Sequence, residues 1–508
     1  MVYREVDELS ARFASALVSL GVEKGDRVAL IMPNIPQFVI SYFGTLEAGG
    51  TVVACNPLYK ERELEHQLRD SGAKVVVATR DIIRGSDLYA SLESCRRRLA
   101  LTNVITTSVT DYLPPLKRRL ATFAGIKDVR RHDALEFVGL MKSSPVECLP
   151  SPDPTKDLAV LQYTGGTTGL SKGAMLTHFN IYSMTVRGTS FLPLNSHDVF
   201  LAVLPLFHVY GGMVNLTIPL FVGAEVLLLP SFHVEEVLST LQNRKATIFC
   251  GVPAMYIAIN GNPKSKYFDL SSVRVCVSGG SALPVATRKA FIELTGGKLV
   301  EGYGLSETSA LTHCNPVVRG VVKDGSIGIP FPETDAIVVD LENPGEALPP
   351  GEVGELAVKG PQVMKGYWNQ EKETEAAFHD GWFLTGDVAR MDEDGYFFIV
   401  DRKKDMINVA GMKVYPRDVE EVLFEHPAVK EAAVVAMPDN FSGEVVEAYV
   451  VLKDQARMVT EQEMIEHCAS RLVKFKVPKK VVFVPELPKT LVGKVLRREL
   501  REAISQQS

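Results

Sequence analysis

The sequence predicts an α/β protein. Residues 1–400 are expected to form a large N-terminal region of two βα-type sheet units and a small β-barrel-like unit, 401–404 a hinge, and 405–508 a small mobile α+β unit. Three observations predict this. Apolar strand-like runs alternate with helix-spaced stretches as far as residue 302. Near residue 326 the pattern shifts to short strands split by turns. The charged run Asp401-Arg402-Lys403-Lys404 then precedes a final stretch that mixes both periodicities.

Taken in order, residues 6–20 space their apolar side chains along one helix face, 27–32 read as a short apolar strand, 61–70 as a helix and 74–78 as a second strand. Such alternation implies a mostly parallel sheet covered on both faces. Residues 82–156 are less regular, with Arg96-Arg97-Arg98, Lys117-Arg118-Arg119 and Arg130-Arg131 set among apolar residues. They read as solvated helix faces, with a peripheral membrane-facing surface as the alternative. A second βα series has strands at 159–163, 199–204, 225–229, 248–251, 273–278 and 298–302. Each ends in a loop rich in Gly, Ser or Thr, where open α/β sheets place ligands. Short strands at 335–340, 352–359 and 395–400 make the β unit.

The charge balance, 55 basic against 61 acidic side chains, gives a net −6 and no global positive field for nucleic acid. Seven cysteines without a CxxC pair suggest neither a zinc knuckle nor a disulfide framework. The charged start Met1-Val2-Tyr3-Arg4-Glu5 is not a secretory signal, so a cytoplasmic setting, with or without peripheral membrane contact, is expected. Residues 199–224 carry no Asp, Glu, Lys or Arg, but Pro205, His208, Gly211, Gly212, Asn215 and Pro219 interrupt them. Strand, turn and helix fit that stretch better than a membrane span.

The strongest local signal is Tyr163-Thr164-Gly165-Gly166-Thr167-Thr168-Gly169-Leu170-Ser171-Lys172-Gly173. Glycines let backbone N–H groups turn inward, and the hydroxyls and one cation suit polyphosphate oxygens. The Walker pattern needs Gly before its lysine and a hydroxyl after it, whereas Lys172 lies between Ser171 and Gly173.

Further motifs follow in order: Leu204-Pro205-Leu206-Phe207-His208, Glu301-Gly302-Tyr303-Gly304-Leu305-Ser306-Glu307-Thr308, Thr385-Gly386-Asp387, Asp401-Arg402-Lys403-Lys404-Asp405 and Pro488-Lys489-Thr490-Leu491-Val492-Gly493-Lys494. With these the chain resembles, over nearly its whole length, the adenylate-forming superfamily of acyl-CoA synthetases, 4-coumarate–CoA ligases, beetle luciferases and nonribosomal adenylation domains. The resemblance implies an acid–thiol ligase that uses ATP, Mg²⁺ and coenzyme A. Lys494 would bridge the carboxylate and the α-phosphate, and His208 would stand at the mouth of the carboxylate pocket. Glu307, with the hydroxyl of Thr168, would hold the metal. Thr164, Gly165, Gly166, Thr167, Thr168, Gly169 and Lys172 would cradle phosphates. Gly280, Ser281, Ala282, Glu301, Gly302, Tyr303 and Gly304 would line the nucleotide, Tyr303 against adenine, with Asp387 and Arg402 on the ribose. Lys404 matches the hinge about which the C-terminal unit rotates, and Gly411 the glycine beside the pantetheine tunnel.

For the acid, the resemblance points to Val209, Tyr210, Gly211, Gly212, Met213, Gly251, Val252, Pro253, Ala254, Ser278, Gly279 and Gly302 as pocket residues. The segment 205–212 offers no carboxylate for a substrate ammonium, which disfavours amino acids. The pattern, including Thr312-His313-Cys314-Asn315-Pro316, is most similar to medium- and long-chain fatty acyl-CoA synthetases. An aryl acid of the coumarate type remains the alternative. A non-catalytic nucleotide-binding homologue is disfavoured because Lys172, Glu307, Asp387, Arg402 and Lys494 are all present, and a luciferase-like side activity with oxygen stays open. A monomer or homodimer is expected. Two departures stand out: relatives begin some tens of residues upstream, so an early element is expected to be absent or the start set late, and Asn408 stands where some relatives carry lysine.

Overall fold

The computed structural model describes residues 1–83, 86–123, 126–131, 133–144, 150–164, 171–439, 441–453, 459–490, 495–497 and 499–501. Its N-terminal part is built on two seven-stranded sheets. The first runs, edge to edge, Lys172–Thr177, Leu158–Thr164, Thr51–Ala54, Arg27–Ile31, Val75–Thr79, Asn103–Thr107, Leu135–Glu136. All neighbours are parallel except the Lys172–Thr177 edge. The second runs Glu225–Leu228, Val199–Ala202, Ile248–Gly251, Val275–Ser278, Lys298–Tyr303 in parallel, then His313–Cys314 and Ile329–Pro330 antiparallel.

The inner strands are apolar throughout because helices cover both faces, as the all-buried Val75–Thr79 and Val275–Ser278 show. Helices Tyr3–Ser19 and Pro36–Glu47 pack on the first sheet through Phe13 and Phe38, both fully buried. One apolar cluster runs from these helices through the second sheet, so the two sheets share a core.

The structure corrects the strand at 159–163. The periodicity assigns it to the second βα series, but Leu158–Thr164 pairs with Thr51–Ala54 and completes the first sheet, Val160 opposite Val52. A two-residue repeat fixes that a segment is a strand but not which strand it pairs with. The irregular stretch 82–156 also contains Asn103–Thr107, a full member of that sheet.

The β unit is a five-stranded antiparallel sheet, with register shifts near Glu355 and Val388 that bend it. From Ile407 onward the buried residues form two clusters of their own, around Val419, Leu423, Val446 and Met464 and around Val435, Tyr449 and Leu487. The uncharged stretch 199–224 becomes the strand Val199–Ala202, the helix Val209–Gly212, a π-turn Met213–Thr217 and the helix Ile218–Val222. Among the described residues no helix is long and apolar enough to cross a membrane.

Candidate functional site

Three parallel strands of the second sheet end side by side, placing Gly251, Ser278 and Glu301 in register. Beyond them lie the helix Pro253–Gly261, opened by its proline, the loop 279–284, and Gly302 to Gly304. Glycine is a steric need at two points: a Cβ on Gly304 would stand 2.0 Å from the Ala310 carbonyl oxygen, and one on Gly211 2.1 Å from that of Pro205. A Cβ on Gly279 would meet the Tyr210 ring at 3.1 Å. Tyr210 and Tyr256 lie beneath this platform, both hydroxyls donating to the Val277 carbonyl at 2.9 and 3.0 Å. Ser278 is fully buried, and its Oγ has no hydrogen-bond partner among the described residues.

Glu301 accepts the Leu283 N–H at 3.3 Å and so holds the loop that carries Gly280, Ser281 and Ala282. Burial pushes its carboxyl up to about 7, opposed by the Arg417 guanidinium.

The Leu204-Pro205-Leu206-Phe207-His208 loop is held from the first sheet. Asn34, buried after the strand Arg27–Ile31, donates to the Ala202 and Leu204 carbonyls at 3.1 and 2.8 Å and accepts the Leu206 N–H at 2.8 Å. Gln162 donates to the Phe207 carbonyl at 3.1 Å. His208 then caps the helix Val209–Gly212, its Nδ1 accepting the Tyr210 N–H at 3.2 Å.

A polar corner joins the second sheet to the β unit. The Tyr303 hydroxyl donates to Asp387 Oδ2 at 2.6 Å, and Arg402 Nε lies 3.4 Å from Asp387 Oδ1. Asp387 and Arg402 face each other across the antiparallel strands Trp382–Met391 and Phe397–Arg402. Burial, then the Asp387 charge, raises the Tyr303 phenol well above its usual range. Next to it the Tyr367 hydroxyl donates to Glu307 Oε1 at 2.8 Å, and the Lys172 ammonium lies 5.2 Å over the Tyr367 ring while pairing with Glu373. Lys404 keeps much of its side chain in solvent. Desolvation and then the Arg402 charge lower its ammonium to about 8, against Asp405, Asp387 and Glu307.

Gly165, Gly166, Thr167, Thr168, Gly169 and Lys494 lie outside the described residues. Their flanks are defined. Thr164 and Lys172 pair across antiparallel strands at the edge of the first sheet. Lys489 pairs with Val495, and Arg497 reaches Glu420 Oε1 at 2.7 Å and Asp405 Oδ2 at 3.6 Å, which ties Arg497 to the connector. Gly411 occupies an exposed turn with Ala410, both at positive φ, its N–H donating to Asn408 at 2.9 Å.

The structure thus brings Tyr303, Asp387 and Arg402 together, links Glu307 to Lys172 through Tyr367, and sets Gly251, Ser278 and Glu301 in a row; Gly411 stands on its own turn. Sequence reasoning missed Asn34, Gln162 and Tyr367. Pro33-Asn34-Ile35-Pro36 marks a turn after a strand, but nothing in it names the loop that Asn34 grips.

Parallel-sheet units with glycine-bearing strand ends, a Tyr–Asp–Arg corner and a separate C-terminal core define the class of adenylate-forming enzymes. Residues 1–368 match the family described as AMP-binding enzyme and 418–494 its C-terminal domain, and the chain belongs to that family. It is 45% identical over 511 residues to a long-chain-fatty-acid–CoA ligase of Bacillus subtilis (strain 168), covering 99% of this chain and 90% of that one. It is 37% identical over 504 residues to a feruloyl-CoA synthase of Amycolatopsis sp, covering 99% and 93%. ATP-bound MatB from Rhodopseudomonas palustris superposes with a TM-score of 0.87 at 30% identity, covering 99% and 94%; its apo form gives 0.75 at 31%, covering 100% and 94%.

Proposed function

We propose that the protein is an ATP-dependent fatty acid–CoA ligase that acts on medium- or long-chain acids through an acyl-adenylate. The observation that carries this reading is the polar corner, where Asp387, held by Tyr303 and Arg402, lies within electrostatic reach of Lys404, itself near Glu307. A carboxylate pinned beside an aromatic ring suits a ribose with its two hydroxyls. The similarity to relatives named long-chain-fatty-acid–CoA ligase supports an alkyl acid.

A carboxylate repels nucleophiles and has no adequate leaving group. In the proposed first step its oxygen attacks the α-phosphorus of ATP, the bond to the β-phosphate oxygen breaks, and pyrophosphate leaves. Lys494 would contact both anions there, a role for a compact ammonium. In the second step the coenzyme A thiolate attacks the acyl carbonyl and AMP departs with the bonding electron pair. Positioning and charge neutralisation supply most of the rate.

Glu307 fits Mg²⁺. One oxygen is taken by Tyr367, and a single carboxylate beside substrate phosphates is how this ion is commonly held. The described residues contain no cluster of three or more His, Cys, Asp or Glu that would form an all-protein cage. Bound with the help of Thr168, the ion would neutralise phosphate charge. Val209, Gly211, Gly212, Gly251, Pro253, Ser278 and Gly279 would line the acyl pocket, with His208 orienting the carboxylate. Each methylene buried there would contribute about 0.8 kcal/mol.

Lys404 would serve as the pivot and Gly411 as part of the pantetheine path. One relative scoring 0.87 with ATP and 0.75 without it, at nearly equal identity, supports two arrangements of one fold. An aryl acid is the second reading, favoured by the similarity to a feruloyl-CoA synthase. The protein would work as a monomer or homodimer, and contact with a lipid surface belongs to the same reading, since long-chain acids partition into bilayers.

An ATP–pyrophosphate exchange screen over acetate, octanoate, palmitate, benzoate and coumarate tests the reading. Exchange strongest with palmitate or octanoate is expected. Exchange with coumarate alone would select the aryl reading, and exchange with none would end both.

A further inference from the structure

The helix Pro115–Phe123 sits outside the site and carries a face with no internal purpose. Leu116 is 72% exposed and Leu120, one turn later, 57%, with Leu113 just before the helix at 39%. A helix advances about 100° per residue, which puts Leu116 and Leu120 on one stripe with Lys117 on one side and Arg119 on the other. The opposite side holds the helix down: Ala121 is buried, and Arg118 reaches Asp128 at 3.4 Å. Asp128 is shared with the buried Arg80, whose Nε lies 2.7 Å away.

The charge on this surface is uncompensated. Residues 113–130 contain five cations (Lys117, Arg118, Arg119, Lys127, Arg130) and one acid (Asp128), net +4, in a chain whose total is −6. Lys117, Arg119, Lys127 and Arg130 are exposed, and none makes a side-chain hydrogen bond or ion pair among the described residues. The acids Asp111, Asp128 and Glu136 are engaged by Arg80.

Exposed leucines flanked by unpaired cations on a short helix are the chemistry of an interfacial anchor, the leucines entering the acyl boundary and the cations meeting anionic headgroups. We infer that the helix Pro115–Phe123, with Leu113, Leu116 and Leu120 as the apolar wedge and Lys117 and Arg119 as flanking cations, docks the protein on an anionic lipid surface. The docking draws its use from the fatty-acid reading above, because a bilayer is where such an acid collects. Its physical basis is independent of the acid.

The test is co-sedimentation of the full chain, without substrate, with vesicles of phosphatidylcholine alone or containing phosphatidylglycerol. Binding is expected on the anionic vesicles and weakens with salt. The double variant Leu116→Asp/Leu120→Asp loses at least about tenfold in partitioning, and Lys117→Glu/Arg119→Glu removes the preference for anionic lipid. Both keep the melting temperature and the rate of octanoyl-CoA formation from dissolved octanoate; should the aspartate variant not fold, the charge-reversal variant carries the test. Wild-type protein that ignores the vesicles, or variants that bind as well as wild type, would overturn the inference. So would variants that convert a dimer to monomer with no vesicle binding at any stage, since the face would then belong to a second copy. Absence of octanoate ligation in the wild type counts against the fatty-acid reading and leaves vesicle docking standing.

Discussion

The two seven-stranded sheets have nearly the same construction, parallel strands with an antiparallel edge, yet they offer different things to a ligand. The second presents backbone at its strand ends: Gly251, Ser278 and Gly302, with Gly304 and Gly211 in places where a Cβ would strike a carbonyl. The first presents side chains that grip the second, Asn34 and Gln162 reaching the 202–207 backbone. Ligand placement in such a pair follows from which strand ends are kept small, and the other sheet acts as the jig that fixes them.

Gly211→Ala attacks the side where space is essential. Forced displacement of the Pro205 carbonyl is expected to lower kcat/KM for palmitate by about 100-fold or more. Gly139→Ala is the control beside the first sheet; its new Cβ meets nothing closer than 3.8 Å, so steady-state rates should not change. Asp387→Ala should raise KM for ATP by roughly 30-fold through loss of the ribose acceptor, with a smaller change in KM for the acid. Asn34→Ala probes the jig. It takes the Asn34 partner from the Leu206 N–H and the Leu204 carbonyl, while the Ala202 carbonyl keeps the Leu229 N–H, and kcat is expected to fall about tenfold while ATP binding by calorimetry holds. Were ATP binding lost equally, the grip would be general to the fold and not specific to the acid side.

Glu301→Gln is read in stability, not in turnover. Its folded pKa of about 7 exceeds the ordinary 4.5, so between those values the folded chain keeps a proton that the unfolded chain releases. Stability from this group is full below about 4.5 and declines as pH rises toward 7. The variant removes that decline and should gain on the order of 1–3 kcal/mol at about pH 8 relative to about pH 5, read as a smaller difference in Tm between the two.

Much of this was legible in the sequence. Strands at 27–32, 248–251 and 298–302 are continuous apolar runs that end in small residues, and the structure has Arg27–Ile31, Ile248–Gly251 and Lys298–Tyr303. The family resemblance implied Tyr303 against adenine and Asp387 and Arg402 on the ribose, and the structure brings these three side chains together across two units. Strand partnership was not legible: nothing in Leu158–Thr164 says that it crosses back over a hundred residues to Thr51–Ala54. Asn34 and Tyr367 were equally hidden, since an asparagine in a turn and a tyrosine before a tryptophan gain meaning only from the loop and the carboxylate that folding brings to them. The short, polar-ended Asn103–Thr107 fell below what a two-residue repeat can signal amid the basic clusters.

The account stands or falls on acid activation preceding thiol transfer. Mixing the protein with ATP, magnesium and palmitate, and following pyrophosphate and AMP separately before and after coenzyme A is added, tests this most directly. One pyrophosphate per active site should be released at once, with AMP appearing only when the thiol arrives. Pyrophosphate that waits for coenzyme A, or ADP in place of AMP, would contradict it.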